Sequence, residues 1–291
     1  MTMYAPCTPT LVSLSSTTSS VTDLLNKTRV AQAQPAQAGA QFAPVLPVDI
    51  RAEGLAKSFG GHQIFSDVSF GMSRGEAVAI VGSNGTGKST LLRCLMGLIP
   101  ADAGHVTMLG TDIGAASPSD MRKLRSQIGL VSQKHNLVPR LSVLSNVVHG
   151  LLGQNPGVRH WTQSFAPAAS REAAMAALQK VGLAHLAQRR ADRLSGGQSQ
   201  RVAIARALVG KPKVLFADEP TASLDPAAGD DVMALFFSLA REEGVTVVFI
   251  SHDMSHALSY GDRVLGLAGG RLQMDARANS LTEHELRDLY D

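Results

Sequence analysis

The chain has 291 residues, of which 44% are hydrophobic and 18% are charged. This composition supports a packed core and excludes a collagen-like, coiled-coil or wholly disordered chain. The net charge of +3 is weak evidence for an anionic partner, and the absence of a basic block with interleaved aromatic residues argues against a nucleic-acid partner. Apolar runs such as Val245–Ile250 fall far short of the ~20 residues that a membrane-spanning helix needs.

The first 47 residues differ from the rest of the chain in composition. They are rich in Ser, Thr, Ala, Gln and Pro, and their charged side chains are Asp23, Lys27 and Arg29. Such a segment has little apolar surface to bury, so we predict that residues 1–47 form a disordered N-terminal extension. The alternative is that translation begins near Val45 or Val48.

From Asp49 onward, the apolar pattern alternates between strand and helix. The predicted strands are Ala77–Val81, Val214–Ala217 and Val245–Ile250, and the predicted helices are Thr90–Ile99, Ser170–Val181, Gln198–Val209 and Ala227–Glu242. Near the C-terminus, Thr282 and Glu285 predict a capping box at the start of a further helix. Strands that alternate with helices predict an α/β core with a mostly parallel sheet.

A glycine-rich turn between the first of these strands and the first helix matches the pattern G-x-x-x-x-G-K-[ST] of a phosphate-binding loop, or P-loop. The matching residues are Gly82, Ser83, Asn84, Gly85, Thr86, Gly87, Lys88, Ser89 and Thr90. Glycines allow backbone N–H groups to point at phosphate oxygens, and the helix adds the positive end of its dipole. We therefore predict a nucleoside triphosphate site in which Lys88 pairs with the β- and γ-phosphates and Ser89 ligates Mg²⁺.

Two carboxylates follow the predicted strand Val214–Ala217. Asp218 and Glu219 would emerge at the C-terminal end of that strand, where α/β sheets bind ligands. We predict that Asp218 is a magnesium ligand and that Glu219 is the general base for an attacking water.

A third motif, Leu194-Ser195-Gly196-Gly197-Gln198, resembles the signature sequence of ATP-binding cassette (ABC) proteins. The resemblance covers residues 48–291. It implies the P-loop NTPase fold of an ABC cassette, with a mostly parallel core sheet, an antiparallel β subdomain and a helical signature subdomain at residues 134–195. It also implies that the chain uses ATP and Mg²⁺ and hydrolyses ATP.

The same resemblance assigns roles to further residues. Phe59 stands where the family stacks an aromatic ring on adenine, and Gln133 resembles the Q-loop glutamine that reaches Mg²⁺ and the attacking water. Asp225 ends a stretch that resembles the D-loop, which crosses the dimer interface. His252 resembles the switch histidine that contacts the γ-phosphate. The residues that would bind the ATP held by a second copy are Ser195, Gly196, Gly197 and Gln198.

The family resemblance also implies partners. One P-loop and one signature imply a head-to-tail homodimer that sandwiches two ATP molecules. Transmembrane permease subunits and a periplasmic or extracellular substrate-binding protein would complete the transporter, with this chain peripheral on the cytoplasmic face of the cell (inner) membrane. The two cysteines, Cys7 and Cys94, form no metal-ligand pair and favour a reducing compartment.

Within the family, the run from Gln133 to Val147 resembles the phosphonate-importer branch. So do the stretch His149–Phe165, which contains Trp161, and the segments Asp262–Leu267 and Leu281–Tyr290. Ser199 and the residues around His252 depart from that branch. We expect the ATPase of a phosphonate importer. The alternatives are an importer of phosphate, phosphite or another small solute, and an accessory cassette ATPase of a carbon–phosphorus cleaving complex.

Deletion of residues 1–47 should leave ATPase activity intact, because every motif described above lies downstream of them. The comparison is the rate of ATP hydrolysis by the full-length and the truncated chain. A collapse of activity in the truncated chain would show that this segment is more than a passive extension.

Overall fold

The computed structural model describes residues 47–154 and 163–289. The predicted extension, apart from Pro47, therefore lies outside the described residues, as do Trp161 and Tyr290. The carbonyl oxygen of Pro47 accepts a hydrogen bond from the backbone N–H of Arg74 at 2.9 Å. The described part of the chain thus begins already paired to a neighbouring segment.

Strands and helices alternate along the described chain. The strands are β1 (Val48–Phe59), β2 (His62–Ser73), β3 (Ala77–Val81), β4 (Ala103–Met108), β5 (Thr111–Asp112), β6 (Ile128–Ser132), β7 (Val214–Asp218), β8 (Thr246–Ile250), β9 (Arg263–Ala268) and β10 (Arg271–Arg277). The α-helices are α1 (Lys88–Leu95), α2 (Pro118–Arg125), α3 (Val143–Val148), α4 (Ala168–Lys180), α5 (Gly196–Leu208), α6 (Pro226–Glu242), α7 (Met254–Tyr260) and α8 (Glu283–Arg287). Within the two described ranges, no helix has the length and apolar character needed to cross a bilayer.

One sheet is antiparallel and has the strand order β2-β1-β4-β5. Gly60 and Gly61 make the turn between β1 and β2 with φ of 55° and 81°, a backbone region that glycine enters without steric cost. Ile50, Leu55 and Phe65 from these two strands are fully buried. This sheet is the antiparallel β subdomain that the family resemblance implies.

The larger sheet has six strands in the order β10-β9-β3-β8-β7-β6. All neighbours from β9 to β6 are parallel, and β10 pairs antiparallel with β9. The prediction of a mostly parallel core sheet is therefore confirmed. Its strands β3 and β8 are buried along their whole length, as expected for parallel strands that are covered on both faces.

The two faces of the larger sheet bury different clusters, because successive side chains of a strand point to opposite faces. Val78 and Ile80 of β3 belong to a cluster with α1 and the antiparallel sheet. Ala77, Ala79 and Val81 belong to a cluster with α3, α4, α5 and α6. The sheet thus separates two cores and supports an independent layer on each face.

Helix α1 differs from the predicted helix Thr90–Ile99 at both ends. It begins at Lys88, inside the P-loop, and ends at Leu95. Gly97 follows with a φ of 63°, and a Cβ there would lie 2.7 Å from Ile113 Cγ2. The chain therefore turns away at a position where a side chain would not fit, and the apolar pattern beyond it belongs to the loop.

The helices α3, α4 and α5 pack against one another, and α5 also packs on β6 and α6. Helix α5 begins at Gly196, two residues earlier than predicted, because Ser195 acts as its N-cap. Gly182 has a φ of 73° just after α4, the left-handed conformation that glycine commonly adopts just after a helix C-terminus. The predicted capping box of Thr282 and Glu285 is present at the start of α8.

Candidate functional site

Several strands of the larger sheet end at the same edge. Ser132 of β6 pairs with Asp218 of β7, and Asp218 pairs with Ile250 of β8. The segments that directly follow β3, β6, β7 and β8 carry the P-loop, Gln133, Glu219 and His252. The fold thus gathers these sequence-predicted residues at the carboxyl edge, where open α/β sheets bind ligands.

Two P-loop positions require glycine. Gly82 has a φ of 141°, and a Cβ there would lie 2.1 Å from the carbonyl oxygen of Leu267. Gly87 has a φ of 95°, and its Cβ would lie 2.7 Å from Ile64 Cγ2. Helix α1 begins at Lys88 without a side-chain cap, so its first backbone N–H groups are suited to an anion.

The remaining P-loop residues form a compact turn. The Thr86 hydroxyl donates to the carbonyl oxygen of Ser83 at 2.9 Å. Asn84 and Gly85 are exposed at the tip of the turn, and Thr90 lies in the first turn of α1. The loop therefore presents backbone groups rather than bulky side chains to a ligand.

Lys88 is buried beneath this loop. Its Nζ donates to the carbonyl oxygens of Gly82 at 2.7 Å and Ser83 at 2.9 Å. Burial lowers the pKa of Lys88, and the charges of Glu219 and Asp218 partly oppose that effect. Both hydrogen-bond partners are neutral, whereas a buried charge is normally paired with an opposite charge. The ammonium group therefore fits an anionic ligand bound at this loop.

Ser89 and Asp218 form the second part of the site. Ser89 Oγ donates to Asp218 Oδ1 at 3.1 Å. Burial raises the pKa of Asp218, and the hydrogen bond from Ser89 partly counteracts the rise. Hydroxyl and carboxylate oxygens are ligands that Mg²⁺ prefers in proteins, so this pair fits a magnesium ion.

Glu219 and His252 are hydrogen-bonded to each other across the ends of β7 and β8. Glu219 Oε1 lies 2.6 Å from His252 Nε2, and the Glu219 side chain is 19% exposed. Glu219 has a φ of 50°, a left-handed conformation that is uncommon for a residue other than glycine and is often found at functional sites. The predicted general base is thus held in place by the predicted switch histidine.

Phe59 lies at the end of β1 and is 50% exposed. Lys57 Nζ sits over its ring at 5.1 Å from the centroid and is held there by Asp102 Oδ1 at 2.6 Å. Asp102 also accepts from the backbone N–H of Ser58 at 2.7 Å. The pKa of Asp102 is lowered, first by the hydrogen bond from Lys57 and then by that from Ser58. The half-exposed ring is therefore fixed by a cation, an arrangement that suits a stacking platform.

The signature residues occupy the start of α5. Ser195 Oγ accepts from the backbone N–H of Gln198 at 3.3 Å, and Gln198 Oε1 accepts from the backbone N–H of Ser195 at 3.1 Å. A Cβ on Gly196 would lie 3.2 Å from Leu224 Cδ2, whereas nothing lies within 4 Å of the corresponding position on Gly197. The glycine end of the helix is therefore open on one side.

Gln133 is exposed and lies in the tight turn that follows β6. His135 and Asn136 in that turn both have left-handed φ, of 54° and 48°. Arg206 of α5 donates to the carbonyl oxygens of both residues. Lys57, Asp102 and Arg206 were missed by the sequence reasoning. The position of Lys57, two residues before Phe59 on one strand, was the one available signal.

The signature and Asp225 stand apart from the P-loop. Asp225 Oδ1 accepts from the backbone N–H of Ala228 at 3.0 Å and so begins α6. Over residues 47–154 and 163–289, no hydrogen bond or ion pair joins Asp225 or Ser195–Gln198 to Gly82–Thr90. One chain therefore assembles the P-loop with Asp218, Glu219 and His252, but not with its own signature.

Comparison with known proteins identifies close relatives. Residues 65–222 match the family model described as ABC transporter. The chain is 45% identical over 246 residues to the "Phosphonates import ATP-binding protein PhnC" of Stutzerimonas stutzeri, a match that covers 83% of this chain and 89% of that protein. It is also 45% identical over 243 residues to the "Phosphate-import ATP-binding protein PhnC" of Mycolicibacterium smegmatis, covering 84% and 92%.

A solved structure shares the fold. A dimeric ATP-binding cassette in a post-hydrolysis state, bound to ADP and Pi, matches with a TM-score of 0.69 and 31% sequence identity, over 79% of this chain and 98% of that chain. The family match begins within β2, includes the P-loop and the signature, and ends at residue 222, three residues after Glu219. On the family match and the sequence identities together, the chain belongs to the ABC transporter family.

Proposed function

We propose that this chain is the ATP-hydrolysing subunit of an importer that moves phosphonates across the cytoplasmic membrane. The observation that carries the nucleotide site is the buried ammonium of Lys88, which is bonded only to neutral carbonyls and lies beside the Ser89–Asp218 pair. A magnesium-bound triphosphate would place anionic oxygens beside this ammonium and a cation beside this carboxylate.

Nucleotide binding would use both sheets. The backbone N–H groups of the P-loop and the start of α1 would hold the phosphates, and Lys88 would pair with the β- and γ-phosphates. Phe59 would stack on the adenine, and Lys57 lies over its ring at 5.1 Å from the centroid. The relatives' shared name element, "ATP-binding protein", supports adenine as the base.

Ser89, Asp218 and Gln133 would hold Mg²⁺. When bound, the ion neutralises charge that develops on the phosphoryl oxygens. Because burial raises the pKa of Asp218, a proton competes for this carboxylate at a higher pH than for an exposed aspartate. Magnesium binding at this site should therefore weaken as the pH falls through that raised pKa.

Glu219 would be the general base that accepts a proton from the attacking water. Its hydrogen bond to His252 fixes the carboxylate at the end of β7. His252 would also contact the γ-phosphate, which requires it to share its ring between the carboxylate and the ligand. Both residues come just after neighbouring strands of one sheet, which positions the base next to the phosphate site.

The signature would act on a second copy of the chain. Ser195–Gln198 begins a helix that is open at Gly197 and unbonded to the P-loop of its own chain. A head-to-tail dimer with two sandwiched ATP molecules would place it against the partner's nucleotide, with Asp225 at the interface. The dimeric state of a similar cassette supports this arrangement. Transmembrane permease subunits and a substrate-binding protein would complete the importer, with this chain on the cytoplasmic face.

The proposed cargo is inferred from the names of similar proteins. A relative named for phosphonate import and one named for phosphate import are each 45% identical to this chain. Phosphate import is therefore the second candidate function. Both cargoes are phosphorus oxyanions, and a cassette of this kind meets its permease rather than the cargo, so the nucleotide site does not discriminate between them.

Lys88→Ala should abolish nucleotide binding, because the phosphates lose their buried cation. The measurement is a fluorescence titration with an environment-sensitive ATP analogue. Lys123→Ala is a matched control, because Lys123 has an 81% exposed side chain on α2 and should bind the analogue like the unmodified chain. An unchanged affinity in Lys88→Ala would contradict the P-loop assignment.

Glu219→Gln should retain ATP binding and lose turnover by about 100-fold or more, the usual contribution of a general base. The amide keeps the shape and a hydrogen bond to His252 but cannot accept the proton. Binding is measured by the same titration and turnover by phosphate release, with Glu283→Gln at the exposed start of α8 as the control. Turnover close to that of the unmodified chain would remove Glu219 from this role.

The proposed cargo is tested by uptake in cells that lack this gene. Labelled aminoethylphosphonate and labelled phosphate are supplied separately, and the cells are rescued with either the wild-type chain or Glu219→Gln. We expect the wild-type chain alone to restore phosphonate uptake. A response limited to phosphate would establish the second candidate function. No response to either would favour another cargo or the accessory ATPase of a carbon–phosphorus cleaving complex.

A further inference from the structure

Arg206 connects α5 to the turn that follows β6 and contains Gln133. Its Nη1 donates to the carbonyl oxygen of Asn136 at 2.7 Å, and its Nη2 donates to that of His135 at 2.6 Å. The two bonds come from the same planar guanidinium group, which fixes the direction as well as the distance of both carbonyls. The contact spans 70 residues of sequence and joins two parts of the predicted machinery.

The turn needs such a contact to keep its shape. His135 and Asn136 both have left-handed φ, a conformation that persists for consecutive non-glycine residues only when surrounding contacts hold it. Local bonds close the turn on one side, since Asn136 Nδ2 donates to Ser132 Oγ at 2.8 Å and His135 N–H donates to the Ser132 carbonyl at 3.0 Å. Arg206 supplies the bonds on the other side.

The guanidinium group of Arg206 makes its hydrogen bonds to this turn. Burial lowers the pKa of Arg206, and its hydrogen-bond partners are two neutral carbonyls. The half-buried guanidinium is therefore anchored to the backbone of this turn rather than to a carboxylate of the described residues.

The backbone of Arg206 is also fixed. A Cβ on Gly150 would lie 2.1 Å from the carbonyl oxygen of Arg206, so the turn after α3 rests directly on this part of α5. The same helix begins with Ser195 and the signature glycines. Arg206 thus belongs to the rigid group of helices that carries the signature.

We propose that Arg206 is a positioning residue that ties Gln133 to the signature helix, so that the two move as one unit. The inference rests on the proposed function, because it assigns Gln133 to the hydrolytic site. Arg206 itself touches neither the P-loop nor Asp218 or Glu219 among its described contacts. Its effect on hydrolysis therefore passes through the turn at His135 and Asn136.

The first test compares Arg206→Met and Arg206→Lys with the unmodified chain. Arg241→Met is the matched control, because Arg241 also donates from a helix to a backbone carbonyl, that of Tyr260 at 3.2 Å, away from the site. We expect Arg206→Met to lower kcat by ~10–100-fold while the affinity for a fluorescent ATP analogue changes by less than about twofold. Arg206→Lys should fall between, because an ammonium group cannot match the planar fork.

Hydrogen exchange gives a readout that is independent of turnover. Backbone amides of residues 133–138 should exchange ~10-fold faster in Arg206→Met than in the unmodified chain, and at an unchanged rate in Arg241→Met. The thermal midpoint of unfolding shows whether each variant is folded. Equal exchange in this segment in Arg206→Met and the unmodified chain would overturn the inference. If Arg206→Met does not fold, the same comparison is made with Arg206→Lys.

A double-mutant cycle with Gln133→Ala decides whether Arg206 acts through Gln133. If it does, the double variant should have a kcat within about twofold of the slower single variant. Multiplicative losses would overturn the inference, as would a loss in Arg206→Met that Gln133→Ala does not share. Failure of the proposed function is distinct from both, because the unmodified chain would then show no ATP turnover, and the exchange comparison alone would decide the role of Arg206.

Discussion

The buried ammonium of Lys88 constrains the rest of the nucleotide site. A charge removed from water must be solvated by the protein or by a ligand, and here the carbonyls of Gly82 and Ser83 do so. Those carbonyls can converge because Gly82 takes a φ of 141° beside the Leu267 backbone, a combination that excludes any Cβ. Neutral carbonyls hold the ammonium, and the carboxylates of Glu219 and Asp218 offset only part of the effect of its burial, so the loop favours a polyanion over a neutral ligand.

The parallel sheet brings the other groups to that ammonium. Asp218 is paired in register with Ser132 of β6 and Ile250 of β8. The segments that follow β6, β7 and β8 therefore begin side by side at the same edge of the sheet. The left-handed φ of Glu219 then turns its carboxylate towards His252, which comes from the next strand. The strain at Glu219 is tolerated because β7 is fully paired on both sides and buried along its apolar part.

Local signals in the sequence predict much of this arrangement, and tertiary contacts account for what they miss. The P-loop, the Asp218–Glu219 pair and the capping box of Thr282 and Glu285 are short patterns whose chemistry is readable without the fold. The ion pair of Lys57 with Asp102 joins residues 45 apart, and no periodicity indicates such a pair. The start of α1 at Lys88 was missed because the apolar stripe begins later, whereas the helix begins where Gly87 allows the backbone to turn.

The contacts of α5 give the proposed dimer a route from the signature of one chain to the hydrolytic residues of the same chain. Its first residues pack on Leu224, next to Asp225, and its Arg206 holds the turn that contains Gln133. A displacement of α5 by a partner at Ser195–Gln198 would therefore reach the segments that follow both β7 and β6. The ends of β6 and β7 are paired with each other. The two displaced segments would therefore begin side by side, next to Asp218. In the proposed dimer, closure would therefore reach the hydrolytic site through α5, since no hydrogen bond or ion pair among the described residues joins the signature to its own P-loop.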